Sequence, residues 1–426
     1  MLVGGFTLDK FIIKGSTRLC GEIDISGAKN AAVAILPATL LVNGITTLEN
    51  VPNISDVKII CEILNTLGAK VTWTGLHSLT VDSTNLTCTR APLIMTSKFR
   101  ASYYLLGSLL GRCHDAEVGL PGGCNLGSRP IDQHIKGFES LGATVSVSQG
   151  KITATVDQLV GTSIYLDVVS VGATINLILA SVLAKGTTII DNVAKEPHVV
   201  DVANFLNTVG ADIRGAGTDT IKINGVSSLS GNHTYSIVPD QIEAGTFMLA
   251  AVASKGDILI KNCIPEHLDS LSAKILEMGA KIDDMGDSLR VICNSTIHPT
   301  NIKTLPYPGF PTDLQPQIGV ALSIANGTSI INESIWESRF QYTNELNKMG
   351  AKVTSQGKTA IFEGVSHLVG APLYATDLRA GAALLIAGII ADGTSELYNI
   401  HFIDRGYEHI EDKFRNLGAH IERIEE

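Results

Sequence analysis

The chain contains no CxxC pair and no HExxH spacing, although it carries seven cysteines and eleven histidines. Disulfide frameworks and zinc sites of the familiar kinds are therefore not expected, and reduced thiols fit better. Long apolar runs are also missing. The two most apolar stretches, 31–42 and 380–391, fall well short of the ~20 residues that cross a bilayer, and Pro37 interrupts the first. Asp9 and Lys10 stand where a secretory leader would keep its apolar region unbroken, so a cytoplasmic location is expected. Positive charge is scarce as well. The formal net charge of −10 disfavours a general nucleic-acid binder, so any anionic ligand must be held by a few local cations.

What is present is a glycine-rich, compact composition. Hydrophobic residues make up 45% and charged residues 17%, with 41 glycines among 426 residues, which suits two or three ordered domains rather than a disordered chain. One short phrase recurs: Leu67-Gly68-Ala69, Leu141-Gly142-Ala143, Val209-Gly210-Ala211, Met278-Gly279-Ala280, Met349-Gly350-Ala351 and Leu417-Gly418-Ala419. Its spacing implies six repeats of about seventy residues. A second glycine precedes a β-rich run at Gly44, Gly186, Gly256, Gly327 and Gly393, with Gly111 in the remaining slot.

Within a repeat the pattern predicts an apolar helix (174–185), a strand (187–191), a second helix (199–209) ending on the repeated glycine, and two further strands (220–224 and 234–238). The last repeat stops where the others continue into paired strands, and the chain begins with such a pair, near 11–15 and 21–26. An unpaired sheet edge is unfavourable, so this N-terminal pair is expected to complete the sixth repeat. The expectation is an α/β protein of two domains with three repeats each. One is continuous over 22–234, and the other is discontinuous, 1–21 with 235–426.

Equivalent segments open the first helix of each repeat: Ser26-Gly-Ala-Lys29-Asn30, Ser97-Lys-Phe-Arg100, Ser170-Val171-Gly172, Pro239-Asp240, Phe310-Pro-Thr-Asp313 and Asp377-Leu-Arg379. Helix starts suit anions, and Ser, Thr or Asp there also serve as caps. Lys29, Arg100 and Arg379 oppose the helix dipole and call for another explanation. The loops before the second helices carry Asp56, Cys124 with Arg129 and Asp132, then Glu196, His198 and Asp201, then Glu266 and His267, then Arg339, and finally Arg405 with Tyr407. Lys29, Arg100, Arg129, Arg339, Arg379 and Arg405 are expected to converge on one cleft, where arginine forks grip carboxylate or phosphate. Cys124 lies in a run with three glycines, Pro121-Gly122-Gly123-Cys124-Asn125-Leu126-Gly127, and reads as loop-borne. The other six cysteines read as small buried hydrophobes.

At these residues the sequence resembles the UDP-N-acetylglucosamine 1-carboxyvinyltransferases, the enolpyruvyl transferases that begin peptidoglycan precursor synthesis. The resemblance spans essentially the whole chain. It is most specific at Gly27-Ala28-Lys29-Asn30, Leu120-Pro-Gly-Gly-Cys124 through Arg129-Pro130-Ile131-Asp132-Gln133-His134, Phe310-Pro-Thr-Asp313, Arg339-Phe340, Asp377-Leu-Arg379 and Asp404-Arg405-Gly-Tyr407. It implies two inside-out α/β domains of threefold repetition with the active site in the cleft between them.

The resemblance also implies the site. Lys29, Arg100, Arg129, Arg379 and Arg405 would hold phosphoenolpyruvate. Asn30, Arg100, Arg129, Pro130, Ile131, Asp132, Gln133, Ser170, Val171, Gly172, Asp313 and Ile335 would line the nucleotide-sugar site. Cys124 would donate a proton, Asp313 would act as base, and Lys29 and Arg405 would assist catalysis. No metal and no cofactor is implied. Departures are Val168, where some members have lysine, and Tyr104, where some have tryptophan. The alternatives are a transferase acting on shikimate 3-phosphate, against which the Cys124 loop argues, and a non-catalytic nucleotide-sugar sensor.

Overall fold

The computed structural model describes residues 9–97, 100–120 and 130–425. Its described residues divide into two units, one of 9–26 with 239–425 and one of 27–120 and 130–238. Each unit has a hydrophobic core of its own.

The six repeats share one plan. In the third, a short strand Ser163–Tyr165 runs parallel to Thr187–Asp191, which pairs antiparallel with Thr220–Asn224, which in turn pairs antiparallel with Asp212–Arg214. The fifth repeats this order with Ile302–Lys303, Thr328–Asn332, Thr359–Glu363 and Lys352–Gln356. The second keeps three strands, Asp115–Gly119, Lys151–Thr155 and Thr144–Ser148, and a bridge from Arg90 to Glu117 stands for the fourth.

Where the repeats meet the ends of a unit, the pairing departs from the sequence reading. The N-terminal strands do not pair with each other. Lys10–Lys14 lies between Thr394–Tyr398 and His420–Ile424 and completes the sixth repeat. Cys20–Asp24 instead runs parallel to Asp257–Lys261 in the fourth. Likewise His233–Ser236 does not belong to the third repeat, but runs parallel to Ile45–Glu49 in the first. In each unit the strand that follows the third repeat, His233–Ser236 or Cys20–Asp24, thus pairs with a strand of that unit's first repeat, Ile45–Glu49 or Asp257–Lys261, closing three repeats into a ring. The passages between units fall at 26/27 and 238/239, a few residues later than 21/22 and 234/235, because these closing strands stay with their own rings.

The first helix of each repeat is the buried one. Leu378–Ile390, for instance, hides twelve of its thirteen residues, as a helix apolar on all sides must. The repeated Leu/Met/Val-Gly-Ala phrase ends the second helix in all six repeats by the same device. Each glycine has φ between +88° and +110°, its N–H reaches the carbonyl three residues back, and the following alanine N–H reaches the carbonyl five back. This double bond satisfies the free carbonyls of a helix end, and glycine takes the left-handed conformation without a Cβ penalty. Gly111 does not fill the second glycine slot. It lies inside the helix Tyr104–Cys113 against Leu179, and the left-handed residue there is His114.

Candidate functional site

In the unit of 9–26 and 239–425, the starts of the three buried helices carry the chemistry. Asp313 lies in the turn Thr312–Leu314, immediately before the helix Gln315–Ser323. Its Oδ1 accepts from Arg339 Nη2 at 3.3 Å, and its Oδ2 accepts from Arg379 Nε at 3.1 Å. Both arginines are almost fully buried, whereas the Asp313 side chain is 28% exposed. The carboxylate is thus reachable from outside and gripped from inside by two cations. Arg379 Nη1 and Arg339 Nε are buried with no acceptor within hydrogen-bonding distance among the described residues, an arrangement that suits an added anion.

Arg379 is set in place from two sides. Asp377 caps its helix, accepting from the Arg379 and Ala380 N–H groups at 2.8 and 3.1 Å, so its capping role is met. The Tyr407 ring lies 5.4 Å from the guanidinium carbon. The Tyr407 hydroxyl meets Thr246 Oγ1 at 2.9 Å and accepts from Gln317 Nε2 at 3.3 Å, which ties the ring to two other buried helices. Arg405, at the end of the turn Ile400–Arg405, is half-buried, and its neighbour Asp404 takes a two-pronged contact from Arg423. Ile335 donates its N–H to Glu333 Oε1 at 2.8 Å. Buried Glu333 also accepts from Thr304, Thr312 and Trp336, so it holds the Ile335 loop and the Asp313 turn together.

In the other unit Lys29 begins the helix Lys29–Ala38 and puts Nζ 3.1 Å from the buried Asp56 carboxylate. That pairing offsets a cation at a helix start. Asn30 follows it, half-buried. Arg100 opens the turn Arg100–Tyr103, its guanidinium carbon 5.6 Å from the Tyr103 ring, and burial lowers its pKa. Ser170 caps the helix Val171–Ser181, its Oγ accepting from Ala173 N–H at 3.3 Å. Pro130 is exposed and Ile131 half-buried before the helix Asp132–Ser140. Gln133 ties that helix start to the segment before Ser170: its Oε1 accepts from Asp167 N–H at 2.9 Å, and its Nε2 donates to Asp132 and Asp167 at 3.0 and 3.2 Å. Cys124 and Arg129 lie outside the described residues.

Two residues to which the sequence reading gave no role, His134 and Asn176, stand behind this second group. His134 is buried, and its Nδ1 meets Asn176 Nδ2 at 3.0 Å. Burial, followed by the Arg100 charge, pushes its pKa down to about 4 against the opposing pull of Asp132, so the ring is neutral near pH 7. Its Nε2 edge faces the first turn of the Val171–Ser181 helix: a Cβ added at Gly172 would come within 3.1 Å of Nε2. Asp201, by contrast, leaves the candidate set. It lies within the helix Pro197–Thr208, buried, where it accepts from the Tyr235 hydroxyl and from Val238 N–H. Burial raises its carboxyl to about 6.

Among the described residues no group of His, Cys, Asp and Glu is arranged to hold a metal, and no helix is long and apolar enough to cross a membrane. Each unit by itself gathers cations, carboxylates and helix starts, groups of the kind that bind anions.

Proteins of known name share this architecture. The family described as EPSP synthase (3-phosphoshikimate 1-carboxyvinyltransferase) matches residues 13–414. The fold resembles the enolpyruvyl transferase NikO from Streptomyces tendae, with a TM-score of 0.89 at 26% identity over 99% of this chain and all of that one. EPSP synthase from Acinetobacter baumannii shares the fold at TM-score 0.74 and 18% identity, over 98% of this chain and all of that one. The chain belongs to this carboxyvinyltransferase family.

Within it, the chain groups with the UDP-N-acetylglucosamine 1-carboxyvinyltransferases. The protein of that name from Clostridium botulinum is 56% identical over 98% of this chain and 100% of its own length. One from Caldanaerobacter subterraneus is 54% identical over the same shares.

Proposed function

We propose that this chain transfers the enolpyruvyl group of phosphoenolpyruvate to the 3'-hydroxyl of UDP-N-acetylglucosamine and releases phosphate, the first committed step of peptidoglycan precursor synthesis, in the cytoplasm. The observation that carries this reading is the partly exposed Asp313 carboxylate fixed between two buried arginines in a chain whose relatives of that name match it end to end. The reaction is an addition followed by an elimination. A proton is added to C3 of phosphoenolpyruvate while the sugar oxygen bonds to C2. The C2–O bond to phosphate then breaks, and C3 returns a proton to restore the double bond.

Each residue has a part in this scheme. Asp313 takes the proton of the sugar hydroxyl, and Cys124 supplies the proton to C3. Lys29, Arg100, Arg129, Arg379 and Arg405 hold phosphoenolpyruvate, a small multiply charged anion that needs preorganised cations. Asn30, the segment 130–133, Ser170 to Gly172 and Ile335 receive the nucleotide sugar. Gln133 supports this, since it locks the 130–133 segment to the residues before Ser170.

A phosphate-release assay with phosphoenolpyruvate and either acceptor tests the proposal. Phosphate should appear with UDP-N-acetylglucosamine and not with shikimate 3-phosphate. The opposite result, or no release with either acceptor, would overturn it.

A further inference from the structure

His134 has a fixed tautomer, and the fixing can be traced through the backbone. The Gly107 N–H donates to Asn176 Oδ1 at 2.9 Å. The Asn176 amide is therefore oriented with its oxygen toward Gly107, which leaves its Nδ2 hydrogens to donate to His134 Nδ1 at 3.0 Å. An Nδ1 that accepts carries no proton, so in the neutral ring the proton resides on Nε2. All three residues are buried, and Gly107 and Asn176 sit on facing helices, Tyr104–Cys113 and Val171–Ser181, so the chain of bonds is built into the core.

The Nε2–H makes no hydrogen bond to any described residue, and it points at the first turn of the Val171–Ser181 helix beside Gly172. That helix start already offers free backbone N–H groups and a partial positive charge. Gly172 is what lets the ring stand so close, since a side chain there would press on Nε2 and Cε1 at 3.1 and 3.2 Å.

We propose that His134 is a neutral hydrogen-bond donor to the diphosphate of the nucleotide sugar at this helix start, and that Asn176 is the positioning residue that pins its tautomer. This rests on the function proposed above. An acceptor-facing tautomer would repel the diphosphate oxygens, and the Asn176 amide removes that option.

Two measurements test it. Long-range proton–nitrogen spectra of protein labelled in the histidine rings should show His134, assigned by its loss in His134→Gln, as the neutral Nε2–H form at pH 7. Asn176→Leu should shift that signature toward a mixture of tautomers. Calorimetric titration with UDP and UDP-N-acetylglucosamine should show affinity lowered about tenfold or more in His134→Leu, the scale of losing a hydrogen bond to a charged group. Binding should be largely restored in His134→Gln, whose amide can donate from a similar place, and thermal transitions of both variants establish that they fold. Wild-type affinity in a folded His134→Leu, or an Nδ1–H signature in the wild type, would overturn this inference alone. A wild-type chain that binds neither nucleotide would overturn the proposed function with it.

Discussion

Asp313→Ala should lower turnover by roughly 10² or more, the scale of a lost positioned base, and should also lower the thermal transition, because it leaves the buried Arg339 and Arg379 guanidiniums without that carboxylate. Unchanged turnover would remove it from the mechanism. The thiols offer a second contrast. The reading of the other six cysteines as buried holds for Cys61, Cys263 and Cys293 only, since Cys20 is exposed and Cys88 and Cys113 are half-buried; desolvation pushes Cys61 up to about 12 and Cys263 to about 11, and raises Cys113 and Cys293 as well. An epoxide bearing a phosphonate should therefore label Cys124 and not these four, faster when UDP-N-acetylglucosamine is present, with the adduct located by mass spectrometry of a digest.

Two buried groups also pull stability in opposite directions across acid pH. Asp201 has a raised pKa, so its contribution is present below about pH 4 and lost as pH rises through about 6. His134 has a depressed pKa, so its contribution is present above about pH 6.5 and lost as pH falls through about 4. Each effect is at most about 3 to 4 kcal/mol, from ~1.4 kcal/mol per pKa unit. Urea unfolding at several pH values should show the wild-type advantage over Asp201→Asn shrinking, and that over His134→Gln growing, as pH rises from 4 to 6.5. Arg379 was legible in the sequence because a cation at a helix start opposes the helix dipole, and Asp313 because it ends the family-like Phe310-Pro-Thr-Asp313 segment. His134 and Asn176 were not. A buried histidine and one asparagine in an apolar helix carry no local signal of the bond between them, which needs two helices to be packed first.

At the scale of elements, the six Gly-Ala phrases were legible because a helix end that needs positive φ leaves glycine in the sequence. The first strand (187–191) and the third-repeat strand at 220–224 were read with their observed bounds, while the buried helix proved to be Val171–Ser181 rather than 174–185. The closing strands were misplaced, since a parallel pairing such as His233–Ser236 with Ile45–Glu49 joins segments far apart in the chain and leaves no periodic trace. Two glycines in different settings give a comparison. Gly350 has φ +88° and open space around it, so Gly350→Ala should cost about 1–2 kcal/mol from backbone strain alone. An added Cβ at Gly107 would sit 2.5 Å from the Asn176 carbonyl oxygen and 2.8 Å from its Oδ1. Gly107→Ala should therefore cost about 1–3 kcal/mol by overpacking and also disturb the His134 ring signature, whereas Gly350→Ala should leave that signature unchanged. Denaturant melts with the ring spectra would separate the two.

Over the whole molecule, the two units follow one circular plan that is cut at different places. In the unit of 27–120 and 130–238 the ring is cut between its closing strand and its first helix. The other unit is interrupted at the equivalent place, between 26 and 239, and once more inside the sixth repeat, between His420–Ile424 and Lys10–Lys14, where Lys10 is the direct partner of Ile424. The third repeat bridges the equivalent strands, Asp212–Arg214 and Thr220–Asn224, by a short hairpin. A chain rearranged to start at Gly27, with residue 425 joined to residue 9 by a hairpin of similar length, should therefore fold and retain nucleotide-sugar binding. An aggregated product would count against the ring description. Such a chain would run through the two rings one after the other, as two uninterrupted copies in tandem.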